Sequence, residues 1–414
     1  MSRVALVFAI LLALASAAAA ALIILPAPNQ SMALMAIAAG EKSLVIIAGA
    51  VVAAALALFA MGPGTRLAGT IAVLLSLGAL VVALIPPAQA LRLAGEQRVD
   101  LSLDRYLRSR IDTESPIKAE KTVVYNTVDG RALGLDVYLP AKAATPSRAV
   151  LVIHGGGWSA SNKGDASLFS QWMSEKGLTV FDVEYRTAPQ PNWKTALGDV
   201  KCAIGWVKRN AATYNVDPAR ITLLGRSAGG HLALLAAYTP HDPALPPSCE
   251  APDTRVESVV SYYAPTDLAW GYAHPSRGAV YDSGQKLRAF VGGPPESTGD
   301  LYKLLSPSER VTSNSPRTLL IHGGRDQFVG KQHVEFLTDR LHRAEVRFET
   351  LIIPYAQHSF DFVFGGFSEQ IVETVLMRFL DATPPVRAAA VEDAGPSDVG
   401  PSPAGDAGAP VQAK

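Results

Sequence analysis

The stretch Ile221-Thr-Leu-Leu-Gly225-Arg226-Ser227-Ala228-Gly229-Gly-His231-Leu-Ala-Leu-Leu decides the fold. A short apolar run ends in Gly-x-Ser-x-Gly, and a run rich in Ala and Leu follows at once. This reads as a strand turning into a helix with a serine at the corner. A serine on so sharp a turn needs residues without Cβ atoms two places to either side, because strand and helix approach closely there. The first turn of the helix adds N–H groups without intrahelical partners and a partial positive charge, where an oxyanion would form. Taken alone, the stretch is also compatible with a glycine-rich turn whose serine only caps a helix.

Working outward, Ile153-His154-Gly155-Gly156-Gly157-Trp158 ends another apolar run. Three glycines in a row let backbone N–H groups face a cavity without side-chain obstruction. A dinucleotide cradle would need GxGxxG after the first strand of its βαβ unit and opening its helix. Here the glycines follow a hairpin pattern and lead to Trp158. Downstream, Thr318 to Ile321 leads into His322-Gly-Gly-Arg-Asp326, and Arg347 to Ile353 leads into Pro354-Tyr-Ala-Gln-His358-Ser-Phe360. A serine nucleophile needs a base, and the base an orienting carboxylate. Ser227, Asp326 and His358 supply these in the chain order of an α/β-hydrolase sheet, each just past a strand's carboxyl end.

The surrounding pattern agrees. Val123 to Thr127 and Leu133 to Leu139 alternate around Asp129-Gly130 as an antiparallel pair. Unbroken apolar runs at 149–153, 178–183, 221–224, 256–262, 318–321 and 347–353 read as central parallel strands. Helical stretches are expected near 195–210, 228–238, 331–343 and 368–380. This order predicts an α/β sandwich with a mostly parallel sheet and ligands at the carboxyl ends of its strands. Residues 268–310, rich in Gly, Pro and Tyr, read as an insertion or lid. Residues 384–414 read as a disordered Pro/Ala/Gly tail.

The set HGGGW (154–158), GRSAGGHLA (225–233), HGGRDQFV (322–329) and YAQHSF (355–360) resembles the α/β-hydrolase carboxylesterases related to hormone-sensitive lipase and the feruloyl-esterase-like (BD-FAE) group. The resemblance covers residues 121–383. It implies an α/β-hydrolase fold and ester hydrolysis without a cofactor. Ser227 would be the nucleophile, His358 the base and Asp326 the acid, with amides of Gly156, Gly157 and Ala228 as the oxyanion hole. His154 would brace the loop. Two positions depart from the pattern: Glu184 stands for the usual Asp, and Arg226 places a cation where an acid commonly precedes the serine. A peptidase or arylformamidase on the same triad, or a non-catalytic hydrolase-fold membrane protein, are the alternatives.

Other titratable residues read as structural: His231 packed under the corner, His322 in the turn before Asp326, and His333 and His342 on a helix surface. Asp267 and, more weakly, Asp361 are reserve acids. No metal-ligand spacing such as HExxH occurs, so no metal is invoked. Trp158, Trp193, Trp270, Tyr262, Tyr263 and Tyr272 are candidates to line a substrate pocket.

Composition divides the chain. It holds 37 basic and 37 acidic residues, yet residues 1–91 contain four of these: Arg3, Glu41, Lys42 and Arg66. Runs at about 4–25, 43–61 and 67–85 are each long enough to cross a hydrocarbon core of roughly 30 Å. Pro26-Ala-Pro28-Asn29, Gly62-Pro63-Gly64 and Pro86-Pro87 punctuate them, so short hairpins are expected. A cleaved signal peptide is the alternative for the first run. Three spans lacking mid-span ionisable groups read as an anchor in contact with membrane lipids. With the N-terminus inside, the 121–383 domain lies extracytoplasmically, after a 92–120 connector. A neutral balance without Lys/Arg runs argues against a nucleic-acid partner. Cys202 and Cys249 exclude a thiolate zinc site and could be one disulfide or two buried thiols. The expected substrate is a lipophilic or envelope-derived ester.

Overall fold

A computed structural model describes residues 2–112, 117–141, 146–276 and 281–382. The expected tail lies outside these residues. The apolar runs form α1 (Ser2–Ile24), α3 (Ser43–Ala60) and α4 (Arg66–Ala83), with α2 (Gln30–Glu41) between the first two. α1, α3 and α4 pack on one another through Ala9, Ala13, Ala53, Ala57 and Ala72. Alanine at these positions lets the backbones approach closely.

One expectation about this segment fails. The first link is not a short hairpin, because Asn29 caps α2 by accepting a hydrogen bond from the Met32 N–H at 3.0 Å. The third run does end as α4 at Ala83, close to the expected bound, but Pro86 and Pro87 do not open a loop. They occupy the first turn of α5 (Ile85–Gln97), one residue after α4, where a missing N–H costs no intrahelical bond. α4 and α5 together run as one 32-residue helical stretch, Arg66–Gln97, apolar over α4 and carrying Arg92 and Glu96 near its end. α6 (Leu103–Leu107) completes the connector.

The strands are β1 (Arg110–Ile111), β2 (Lys121–Val128), β3 (Arg131–Tyr138), β4 (Ser147–Ile153), β5 (Thr179–Val183), β6 (Val216–Arg226), β7 (Ser258–Tyr262), β8 (Arg317–Gly323), β9 (Phe348–Ile353) and β10 (Val363–Phe364). β2 to β9 make one eight-stranded sheet in the order β2-β3-β5-β4-β6-β7-β8-β9. β2 and β3 are antiparallel around Asp129 and Gly130, whose φ values of 51° and 76° suit a two-residue hairpin. From β5 to β9 every pairing is parallel.

β4, β5 and β7 are buried along their whole length, as continuous Val/Leu/Ile runs require when helices cover both faces. Those helices are α7 (Ser167–Glu175), α8 (Trp193–Arg209), α9 (Ala228–Tyr238), α10 (Leu268–Ala273), α11 (Ser283–Val291), α12 (Pro295–Leu304), α13 (Gln332–Arg343) and α14 (Phe367–Asp381). α7 was not expected, although Leu168, Phe169, Trp172 and Met173 carry its buried face at helical spacing. α10, α11 and α12 occupy the predicted insertion. Cys202 on α8 and Cys249 are disulfide-bonded, with Cα atoms 5.4 Å apart. The pairing settles the alternative left open by spacing.

Candidate active site

Four loops meet at the carboxyl edge of the sheet: those after β4, β6, β8 and β9. After β6, Ser227 adopts φ 53°, ψ −119°, a conformation L-residues rarely hold. The corner is sterically closed to larger neighbours. A Cβ on Gly225 would fall 2.2 Å from the Gly229 carbonyl oxygen, and one on Gly229 would fall 2.2 Å from those of Ile153 and His154.

Asp326, His358 and Ser227 form one hydrogen-bonded line. Ser227 Oγ lies 3.0 Å from His358 Nε2, and His358 Nδ1 lies 2.7 Å from Asp326 Oδ2. The other carboxylate oxygen, Oδ1, accepts from the Phe328 and Val329 N–H groups at 2.8 and 2.9 Å. Burial pushes the Asp326 pKa up, but the neighbouring imidazole and these hydrogen bonds outweigh it and hold the carboxyl below its usual range. His322, whose Nε2 contacts the Val329 carbonyl at 3.1 Å, is buried in the same loop, and burial lowers its pKa. The arrangement is that of a hydroxyl, a base and an orienting carboxylate.

Behind the line sits a second buried set. Arg226 is 2% exposed, and its Nε donates to Asp361 Oδ2 at 2.5 Å. Tyr263 Oη donates to Asp361 Oδ1 at 2.6 Å while its ring packs 4.3 Å from the His358 ring. The guanidinium also faces the rings of Phe169 and Tyr262. Arg226 therefore does not present a bare cation beside the serine, because its charge is paired inward. Asp361 holds Arg226 and Tyr263, and Asp267 caps α10 by accepting from Trp270 N–H at 2.9 Å, so neither reserve acid partners His358. Glu184 accepts from Arg131 at 3.1 Å and from the Gly134 N–H at 3.2 Å, tying the end of β5 to β3.

The glycine loop is braced from below. His154 is buried and stacks on Tyr185, whose hydroxyl donates to the carbonyls of His154 and Gly155 at 3.0 and 3.1 Å. Trp158 Nε1 donates to His231 Nδ1 at 3.2 Å, and His231 Nε2 lies 2.8 Å from the Leu305 carbonyl oxygen. These partners define a neutral imidazole, and burial lowers its pKa to about 4. His231 thus packs where the sequence suggested. His333 does not lie on a surface. It is 3% exposed, its Nδ1 accepts from the Thr266 N–H at 3.2 Å, and burial lowers its pKa to about 3. Its spacing with Leu337 and Leu341, the other buried residues of α13, was a legible signal of the buried face.

Beside Ser227 lies a cavity of about 40 Å³ bordered by Gly157, Ala228, Tyr281, Leu287 and Phe328. Of the six aromatics expected there, Trp158 alone borders it. Tyr262 is fully buried behind the corner, Tyr263 packs on His358, and Trp270 packs on His274 and His333. Trp193 belongs to the domain core and Tyr272 packs on Tyr302. Tyr281, from the insertion, carried no local signal of this role. Among the described residues no group of three or more His, Cys, Asp or Glu is placed to hold a metal ion.

A probable carboxylic ester hydrolase, LipM, of Mycobacterium tuberculosis is 33% identical over 238 residues, 56% of this chain and 54% of that protein. Esterase LipQ of the same organism is 32% identical over 252 residues, 59% of this chain and 58% of that protein. The chain spans somewhat over half the length of these curated relatives. A truncated carbohydrate esterase from gut microbiota superposes with a TM-score of 0.52 at 25% identity, covering 63% of this chain and 98% of that one. Butyrate-bound esterase 2 of Thermogutta terrifontis, at 23% identity and a TM-score of 0.53, shares the fold, covering 66% of this chain and 96% of that one. The BD-FAE family model matches residues 135–341, half of the chain, from β3 through most of α13. With its sheet order, its serine corner and this match, the chain belongs to the BD-FAE family of α/β-hydrolases.

Proposed function

We propose that the protein is a membrane-anchored serine carboxylesterase whose nucleophile is Ser227. The hydrogen-bonded line from Asp326 through His358 to a serine held at positive φ carries this reading. His358 Nε2 takes the Ser227 proton as Oγ attacks the ester carbonyl. The oxyanion faces amides of Gly156, Gly157 and Ala228, each such donor being worth about 10²–10³ in rate. The imidazolium returns its proton to the departing alcohol, and water then hydrolyses the acyl-enzyme by the same steps in reverse order. Asp326, ionised and hydrogen-bonded at both oxygens, orients the ring and offsets its transient charge.

The small size of the cavity beside Ser227 supports a short acyl group. A lipophilic substrate then carries its apolar bulk on the alcohol side. The lengths and hydropathy of Arg3–Ile24, Ser43–Ala60 and Arg66–Gln97 support three spans, with residues 121–383 as the catalytic domain. Ile24 at the end of α1 bonds Arg325, Glu41 just before α3 bonds Ser368 and Gln97 at the end of α5 bonds Arg378, which supports an odd number of crossings between the N-terminus and that domain. The Cys202–Cys249 disulfide supports an oxidising, extracytoplasmic side for the domain.

The detergent-solubilised protein should hydrolyse short p-nitrophenyl esters and take a fluorophosphonate label. Ser227→Ala should abolish both while leaving thermal unfolding nearly unchanged. Equal hydrolysis by that variant would remove Ser227 from the mechanism.

A further inference from the structure

The turn after the first apolar helix is built into the wall of the active site. The carbonyl of Ile24 accepts from Arg325 Nη2 at 2.6 Å, and the Ala27 N–H donates to Gln327 Oε1 at 2.7 Å. Gln327 Nε2 in turn donates to Gln357 Oε1 at 3.1 Å. Arg325 and Gln327 flank Asp326 in sequence, and Gln357 precedes His358. Ala27 and Ala33 pack against Tyr281 and Phe328, and the Phe328 ring lies 5.2 Å from the His358 ring.

Pro26 of this turn forms one side of an open groove of about 360 Å³, with His274 to Ser276 and Gly324 to Phe328 on the others. His274, Phe328 and Gly330 border both this groove and the small cavity at Ser227. The groove at the end of α1 and the cavity at the serine therefore adjoin at these three residues.

α2, which follows the turn, is apolar on both faces. Ala33, Ala36, Ile37 and Gly40 are buried against the rest of the protein, whereas Met32, Leu34 and Met35 are 40%, 56% and 58% exposed. Leu25 at the turn is 55% exposed. A short helix between two candidate spans, with no charge before Glu41 and three large apolar side chains outward, suits the interfacial layer of a bilayer and not water.

We propose that the groove receives its ester from the membrane: an amphiphile whose chains stay in the leaflet beside Leu25 and α2 while its short-acyl ester reaches Ser227. The turn at residues 25–29 is then part of the substrate site. The acyl carbon–oxygen bond breaks, the amphiphilic alcohol leaves with the proton from His358, and water later releases the short carboxylic acid. This inference rests on Ser227 being the nucleophile and on the three spans.

The full-length protein, reconstituted in phosphatidylcholine vesicles containing 1,2-dioleoyl-3-acetylglycerol, is assayed for acetate release and, separately, for hydrolysis of aqueous p-nitrophenyl acetate. Rates are normalised to fluorophosphonate-labelled sites, so misfolded enzyme does not count. In the double variant Leu34→Lys, Met35→Lys, and separately in Pro26→Trp, the ratio of acetylglycerol rate to p-nitrophenyl acetate rate should fall by about tenfold or more. A ratio that moves less than twofold in both variants overturns the proposal. So does a wild-type protein that hydrolyses p-nitrophenyl acetate but leaves the acetylglycerol intact. Failure on both esters would instead overturn the esterase reading beneath it.

Discussion

In the bundle of α1, α3 and α4 most buried positions are alanines such as Ala9, Ala53 and Ala57, while Phe8, Leu11, Phe59, Leu67 and Val81 stand outside. In the α/β domain the relation is reversed. Leu151, Phe181, Leu224, Phe290 and Phe379 are inside, together with charged groups such as Arg226 and Asp361 that are buried only because they are paired. Water drives large apolar side chains inward and demands partners for every charge taken with them. Lipid offers no such drive, so helices meet through their smallest residues and turn the large ones to the chains. The two halves of one polypeptide thus bury side chains of opposite size, which supports the proposal that the first is packed in lipid. Their seam adds polar contacts to the apolar packing of Ala27 and Ala33 on Tyr281 and Phe328: Arg105 pairs with Glu373 at 2.6 Å, Gln370 accepts from the Ser102 N–H, and Glu41 accepts from Ser368 Oγ at 2.7 Å.

The sharpest test of the polar half is Asp326→Asn. An amide in place of the carboxylate cannot hold His358 in the productive tautomer, and kcat should fall by about 10³–10⁴. Asp267→Asn should keep nearly full activity, because asparagine caps α10 as well as aspartate does. The opposite ranking would transfer the acid role to Asp267.

Next in size is Arg226→Met, which leaves Asp361 buried without its cation and should cost about 3–5 kcal/mol in unfolding measurements. Adding Asp361→Asn should recover most of that loss. If the single variant is as stable as the parent, the inward ion pair does not matter to the domain.

The apolar half is challenged by size alone. Ala53→Leu, at a fully buried bundle position, should overpack the α1–α3 contact and lower stability in detergent by about 1–3 kcal/mol. Leu74→Ala, at a position 62% exposed, should change little there. Similar losses at both positions would mean the bundle has a conventional large-residue core.

A last test is a pH slope at the seam. Burial raises the Glu41 pKa from 4.5 to about 8, so between those values the folded chain keeps a proton that the unfolded chain releases. Stability from this group is full below about pH 4.5, declines as pH rises, and is flat above about 8. Glu41→Gln should match the parent near pH 5 and melt several degrees higher near pH 8 by thermal unfolding in detergent. A variant that follows the parent at both pH values would remove Glu41 from the balance.

Much was legible before any coordinates. The Gly225–Gly229 corner, the three glycines after His154, and the loops bearing Asp326 and His358 carry local steric and strand-end signals, and the structure brings these residues together. The alternation around Asp129-Gly130 placed the hairpin to within a residue or two. α7 and the buried face of α13 were also present in the spacing, though His333 was misplaced because a polar residue on a buried face has no signature of its own. The helix α2 was missed because apolar residues without charges read alike in a span, a link or an interfacial helix.

By itself, the sequence determined the elements and the order of chemistry along the chain, because backbone sterics and apolar periodicity act over a few residues. Tertiary structure alone decided that Arg226 is neutralised by Asp361, that Cys202 meets Cys249, that Tyr281 and Phe328 border the cavity, and that the turn after α1 touches the loop of Asp326. Each of these joins residues from about 50 to 300 positions apart. Such contacts depend on how packed layers close on one another, and no local propensity encodes that.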